Sequence, residues 1–307
     1  MRNIVRISLA VAGLMAAASA AQAGSWVQVA PVSGSSQTTA FGITDKNIVT
    51  GDYTDANGVQ HGFVGPIDGS KYKSFDDPDG TTQPRAINDK GWITGFDSSS
   101  TASWERSPSG TLNPITKKGT ALDGVAQGLN GGGQFGADYI DPSTGNTVAY
   151  IGKKYKFRSK FKLSIKNSGY AARGIDTAGD IAGWFYDPST QLQHGFVIMG
   201  GKAKQLDYPN AVYTVMEGIN DNGIVTCQYE DQGGAIHGCY YDVGKKTFTG
   251  LDISGASLTQ VWGPNNNDVI AASSDVGSYV YCIHAKGCPA AANFHQTQGK
   301  SWHPAQQ

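Results

Sequence analysis

Six segments spaced almost evenly along the chain repeat one pattern, and no other feature constrains the fold as much. They are "FGITDKNIVTGDY" from Phe41, "RAINDKGWITGFD" from Arg85, "QGLNGGGQFGADY" from Gln127, "RGIDTAGDIAGWF" from Arg173, "EGINDNGIVTCQY" from Glu217 and "WGPNNNDVIAASS" from Trp262. Successive starts lie 44, 42, 46, 44 and 45 residues apart. A period of this size marks tandem copies of one supersecondary unit, each unable to bury its apolar face alone. Within a unit, a short apolar strand meets a turn such as "TDKN" or "NDNG", whose Asn, Asp and Gly residues adopt the backbone angles of a tight hairpin. A second strand ("IVTGDY", "IVTCQY"), a second turn ("TDANG", "DPSTG", "EDQGG"), a third strand ("HGFVG", "HGFVI", "HGCYY") and a fourth ("YKSFDD", "AKQLDY") follow. Four short antiparallel strands per repeat make one propeller blade, and no helical period competes after Ala23. The expected fold is all-β, a six-bladed β-propeller with the first strands around the axis. Seven blades, the extra one built from terminal pieces, is the alternative.

The ends bear on how such a ring closes. Residues 1–23 carry Arg2 and Arg6, the apolar run "ISLAVAGLMAAASA" and "AQA" before Gly24, the layout of a secretory signal peptide cleaved after Ala23. This style of segment looks bacterial, so the expected destination is the periplasm or the medium. A propeller domain is expected over 24–295 and a flexible tail over 296–307. "SWVQVAPVSG", Ser25 to Gly34, resembles a fourth strand that arrives before any first strand and could pair into the last blade; "CPAAANF" near the C-terminus could take the same place.

The third-strand triplets carry a family resemblance. His61-Gly62-Phe63 and His194-Gly195-Phe196, with His237-Gly238-Cys239 as a variant copy, resemble the HAF-type extracellular repeat. Val148-Ala149-Tyr150 and Tyr279-Val280-Tyr281 occupy the same slot without the His, and the second repeat offers only Ser103-Trp104-Glu105. The resemblance covers essentially the whole mature chain. It implies an exported repeat protein and brings no catalytic motif.

Cleavage would leave 22 basic and 25 acidic residues, so no overall attraction to nucleic acid is expected. A second long apolar run is absent, so no transmembrane segment is expected either. Four cysteines in an exported chain invite disulfides. Cys227 and Cys239 sit on consecutive strands equidistant from Gly233, and Cys282 and Cys288 flank "IHAKG", so local bridges 227–239 and 282–288 are expected. His61, His194 and His237 recur at one slot away from the axis, where an imidazole bridging strands or turns is expected rather than a metal ligand. The segment "KKYKFRSKFKLSIK", Lys153 to Lys166, alternates basic and largely apolar residues. It reads as an outer strand whose lysines prevent edge pairing, or as a patch for anionic polysaccharide, lipopolysaccharide or a membrane surface. Asp76, Asp77 and Asp79 of "SFDDPDG" read as an inter-blade turn, not a calcium loop. No phosphate loop, nucleophile elbow or dinucleotide fingerprint occurs, and neither a metal nor a cofactor is expected.

The candidate site comes from where the copies disagree. The first residue of the repeat is followed by Gly or Ala in every copy, yet is itself Phe41, Arg85, Gln127, Arg173, Glu217 and Trp262. Burying two arginines and a glutamate between blades would be costly. Projection into the central funnel avoids that cost and would present stacking faces and charged donors suited to an acidic glycan or a peptide terminus. The expected function is non-catalytic binding of a glycan, peptide or cell-surface protein by a monomer. The alternative is a propeller hydrolase or lyase acting on a polysaccharide or ester.

Overall fold

In the computed structural model, residues 24–290 are described, except Asp79 and Thr101. Residues 1–23 and 291–307, where a signal peptide and a flexible tail are expected, lie outside the described residues, and His295 and His303 with them. Among those described, every regular element is a β-strand. They form six sheets, each built on four antiparallel strands, the blades of a six-bladed β-propeller. The first four-stranded blade is Gln37–Ile43, Ile48–Thr54, Gln60–Pro66 and Lys73–Phe75. The later blades begin with Thr82–Ile87, Ala126–Leu129, Tyr170–Ile175, Tyr213–Ile219 and Thr259–Pro264. The N-terminal strand Ser25–Gln28 pairs antiparallel with Gly277–Cys282, so the chain's beginning supplies the outer strand of the sixth blade and closes the ring.

Two layers of side chains near the axis tie the blades together at the turns between first and second strands. In one layer, an Asn amide reaches the backbone carbonyl of the next blade's turn: Asn88 to Asn130 at 3.0 Å, Asn130 to Asp176 at 2.8 Å, Asn220 to Asn265 at 2.7 Å and Asn265 to Thr44 at 2.9 Å. In the second, the next residue's side chain accepts a backbone N–H from a neighbouring turn: Asp89 from Asp45, Asp221 from Thr177, Asn266 from Asp221 and Asp45 from Asn266. The repeated "ND" of the turns therefore locks blade to blade as well as setting hairpin geometry. Where the first position is Thr44 or Asp176, the bridging amide is missing.

The third-strand triplet is a packing device. His61 Nδ1 lies 2.8 Å from Asp76 Oδ1, His194 Nδ1 2.9 Å from Asp207 Oδ2, and His237 Nδ1 3.0 Å from Asp252 Oδ1. Each imidazole also stacks on an aromatic ring of the second strand, Tyr53, Phe185 or Tyr229. The histidines thus clamp the end of the fourth strand to the third. The glycine beside each His leaves room for a close neighbour: a Cβ at Gly195 would lie 2.4 Å from the Leu206 carbonyl oxygen. Phe63 and Phe196 are fully buried. Sheet register assigns this slot to Ala102-Ser103-Trp104 in the second blade and Gly277-Ser278-Tyr279 in the sixth, because Trp104 faces Gly95 and Tyr279 faces Ala272. These are one and two residues earlier than the sequence reading placed them. Asp76, one of the turn carboxylates, is committed to His61; Asp79 lies outside the described residues.

Both disulfides form as expected. Cys227 and Cys239 are directly opposed on neighbouring strands, with Cα atoms 4.9 Å apart, and Cys282 bonds Cys288 across 5.6 Å. The basic segment differs from its expected form. Lys154 and Tyr155 make the turn with positive φ, the strand runs only over Lys156–Lys160, and a bulge breaks its alternation. Beyond it Leu163 is buried and Phe161 packs in the fourth blade's core. Nor is the strand an open edge: a hairpin of Thr116–Lys117 and Thr120–Ala121 pairs beside it through Thr116 and Lys156, making the third sheet six-stranded.

Candidate binding site at the variable mouth

In all six blades the register between first and second strands shifts at the same place. The shift falls between Ala40 and Gly42, Pro84 and Ala86, Ala126 and Gly128, Ala172 and Gly174, Met216 and Gly218, and Val261 and Pro264. The residues left without a partner include Phe41, Arg85, Gln127, Arg173, Glu217 and Trp262, the six variable positions. A bulge re-aims a side chain that a regular ladder would pack between sheets, which is why this position tolerates such different residues.

The small residue after each bulge allows the first strands to crowd the axis. A Cβ at Gly174 would lie 2.7 Å from the backbone nitrogen of Ile219, and one at Gly218 would lie 2.6 Å from Pro264. Around this waist the axial channel opens at both ends. On the side of the bulges is a depression of about 510 Å³ lined by Arg85, Gln127, Arg173, Glu217 and Trp262 together with the glycines. Phe41 does not line it. That ring is 5% exposed and lies beneath, edge-on to Trp262 at 4.8 Å and under the Arg85 guanidinium at 4.4 Å. The structure thus brings five of the six variable side chains to one mouth and makes the sixth their support.

A second tier, unrecognised in the sequence, surrounds the arginines. The residue following the small one on each second strand is Asp52, Phe96, Asp138, Trp184, Gln228 and Ser273. Arg85 sits 5.1 Å from the Phe96 ring and Arg173 5.9 Å from Trp184. Trp262 Nε1 donates to Ser273 Oγ at 3.0 Å, and Gln228 Nε2 to the Val261 carbonyl at 3.1 Å. The signal that would have found this tier is the one used for the first: a position varying freely beside a small residue that does not.

The charges are close to balance and poorly hydrogen-bonded. Glu217 Oε2 approaches Arg173 Nη1 only to 3.8 Å. Arg85 Nε, Arg173 Nε and Glu217 Oε2 are buried without a hydrogen-bond partner. Burial raises the Asp52 carboxyl to about 7, against the opposing pull of Arg85, and raises Asp138 to about 6 against that of Arg173. Glu217 is raised by burial too, and burial with the nearby Arg173 charge lowers Arg85 to about 10. Three carboxyls therefore face two guanidiniums, so the mouth is less electropositive than its first-strand residues alone suggest. Two guanidiniums and a carboxyl lining one depression suit a ligand that combines an anionic group with a hydroxyl or ammonium donor. Among the described residues no cluster of His, Cys, Asp and Glu has the arrangement of a metal centre.

Fold and mouth together define a class: a six-bladed β-propeller with a chemically varied funnel. No protein-family profile matches the chain, and no curated protein is similar to it in sequence. Among solved structures it is similar to TolB from Acinetobacter baumannii, with a TM-score of 0.53 at 12% identity, over 76% of this chain and 63% of that one. The chain thus spans less than two thirds of that TolB. It is similar also to a gluconolactonase from Xanthomonas campestris (TM-score 0.52, 10% identity, 83% of this chain and 88% of that one) and to a streptogramin B lyase (0.50, 11%, 83% and 96%). At such identities the likeness concerns the fold alone. Two disulfides fit an extracellular or periplasmic protein, since such bonds persist in oxidising compartments. No described helix is long and apolar enough to cross a membrane.

Proposed function

We propose that this is an exported, non-catalytic propeller, similar to HAF-type repeat proteins, that binds an acidic glycan at the variable mouth. The observation that carries this reading is the convergence of Arg85, Arg173, Glu217 and Trp262 on one depression at the mouth. A uronate sugar matches that set, its carboxylate accepting from an arginine and a ring hydroxyl donating to Glu217, with Trp262 as a stacking face. A peptide C-terminus offers the carboxylate but a less suitable stacking surface. The second reading, a hydrolase or lyase acting on a polysaccharide or ester, is favoured by Asp52 and Asp138, whose protons are held to about 7 and 6 beside the arginines. A panel of uronate oligosaccharides, neutral glycans, peptides and esters, scored for both binding and turnover on the mature chain, separates these. Uronate binding with the oligosaccharide recovered intact is the expected result. Turnover of any member would replace the binding reading with the enzymatic one, and binding of peptides alone would replace the ligand class.

A further inference from the structure

The two faces of the ring differ in charge, and the difference follows from strand order. Because strands alternate in direction, the hairpins joining second to third strands share the face of the variable mouth, and those joining first to second and third to fourth share the other. On the mouth face the second-to-third connections of five blades carry an aspartate, Asp55, Asp141, Asp187, Asp231 and Asp275; in the second blade Asp97 ends the second strand and is buried. All four exposed large apolar side chains among the described residues, Val59, Ile140, Leu192 and Val276, also lie there. On the opposite face, the third-to-fourth hairpins of four blades and the strands that follow them carry exposed lysines: Lys71, Lys154, Lys202, Lys204, Lys245 and Lys246. Lys245 is held by Asp242 at 2.6 Å. The axis of this face is acidic, with Asp45, Asp89 and Asp221 around a depression of about 430 Å³, each of them accepting a backbone N–H.

We infer that the lysine-bearing face seats the protein on a layer of anionic lipid headgroups, leaving the variable mouth facing away. This inference is independent of the ligand reading given above. The lysines come from four blades, Lys71, Lys154, Lys245 and Lys246 from hairpins and Lys202 and Lys204 from the strand after one, and so are spread around a rim that meets many charges at once. A single polyanionic chain crossing the face would pass over the acidic axis. Lysine offers a compact point charge, and none of the exposed large apolar groups lies on this side to insert, so the contact is peripheral and sensitive to salt. The basic segment noted in the sequence contributes its turn lysine, Lys154, to this rim.

The test is co-sedimentation of the mature full chain with phosphatidylcholine vesicles, with and without phosphatidylglycerol. Two charge-matched double variants accompany it: Lys202→Glu with Lys246→Glu on the lysine face, and Lys162→Glu with Lys166→Glu, exposed residues that lead toward the mouth face. Binding is expected only with phosphatidylglycerol and is lost in about 0.5 M salt. The first pair should weaken it by about tenfold or more, and the second pair should leave it within about twofold. Equal loss in both variants would overturn the assignment of the face. Absence of binding to phosphatidylglycerol vesicles would overturn the lipid assignment, whether or not the mouth retains a uronate ligand.

Discussion

Asp52 and Asp138 give the mouth a pH response whose direction can be derived. Burial holds the Asp52 carboxyl at about 7, above its ordinary 3.8. Between those values the folded protein keeps a proton that the unfolded chain has released. The stability from this group is therefore complete below about pH 4, falls as pH rises toward 7 and is lost above it. Asp52→Asn should remove the fall, narrowing the difference in unfolding free energy between pH 4.5 and 7.5 by about 2–4 kcal/mol in urea titrations. An unchanged pH slope would show that the ionised carboxylate is better accommodated than its burial implies. Protonation of Asp52 and Asp138 also frees Arg85 and Arg173 from competing carboxylates. A uronate probe should therefore bind about three- to tenfold more tightly at pH 5.5 than at 7.5, as isothermal titration would show, and a flat or inverted profile would contradict this. The first-tier residues were legible because one position varied beside an invariably small one. The second tier meets the same criterion, but Asp52 and Trp184 look like ordinary strand residues until Arg85 and Arg173 are seen beside them.

The six bulges, the His–Asp clamps and the crowded axis recur from blade to blade and so belong to the elements. Hairpin order and blade number follow from periodicity and turn chemistry, and opposed cysteines from counting along one hairpin. The bulge leaves no compositional mark: "AFGI" and "MEGI" read as plain strands, and only pairing register shows that the third residue from the end is displaced. Nor could alternation in "KKYKFRSKFK" reveal that a hairpin from the preceding blade covers its edge. The close approach at the waist has a direct consequence. Gly174→Ala would place a methyl group 2.7 Å from the Ile219 nitrogen and 2.8 Å from the Gly218 backbone. The backbone of a closed ring cannot yield there cheaply, so a loss of about 1–3 kcal/mol is expected by thermal unfolding. An equally stable variant would mean that the blades adjust at the axis more freely than the packing indicates.

At the scale of the molecule, closure makes the site. The mouth draws on residues from position 85 to position 262, which face one another because the strand Ser25–Gln28 completes the sixth blade. Closure by the N-terminal strand was one of two readings open in the sequence, since both ends offered a candidate. The lysine rim of one face was hidden there altogether, because a near-neutral total conceals how strand direction gathers the hairpin lysines of separate blades on one side. The central claim is that the bulged ring binds an acidic ligand while the blades carry the fold. Titration of trigalacturonate into wild type and into the Arg85→Ala, Arg173→Ala double variant, with the melting temperature of each, tests it most directly. The account predicts that affinity falls by about 100-fold or more while the melting temperature stays within about 4 °C. Unchanged affinity in a folded double variant would contradict it.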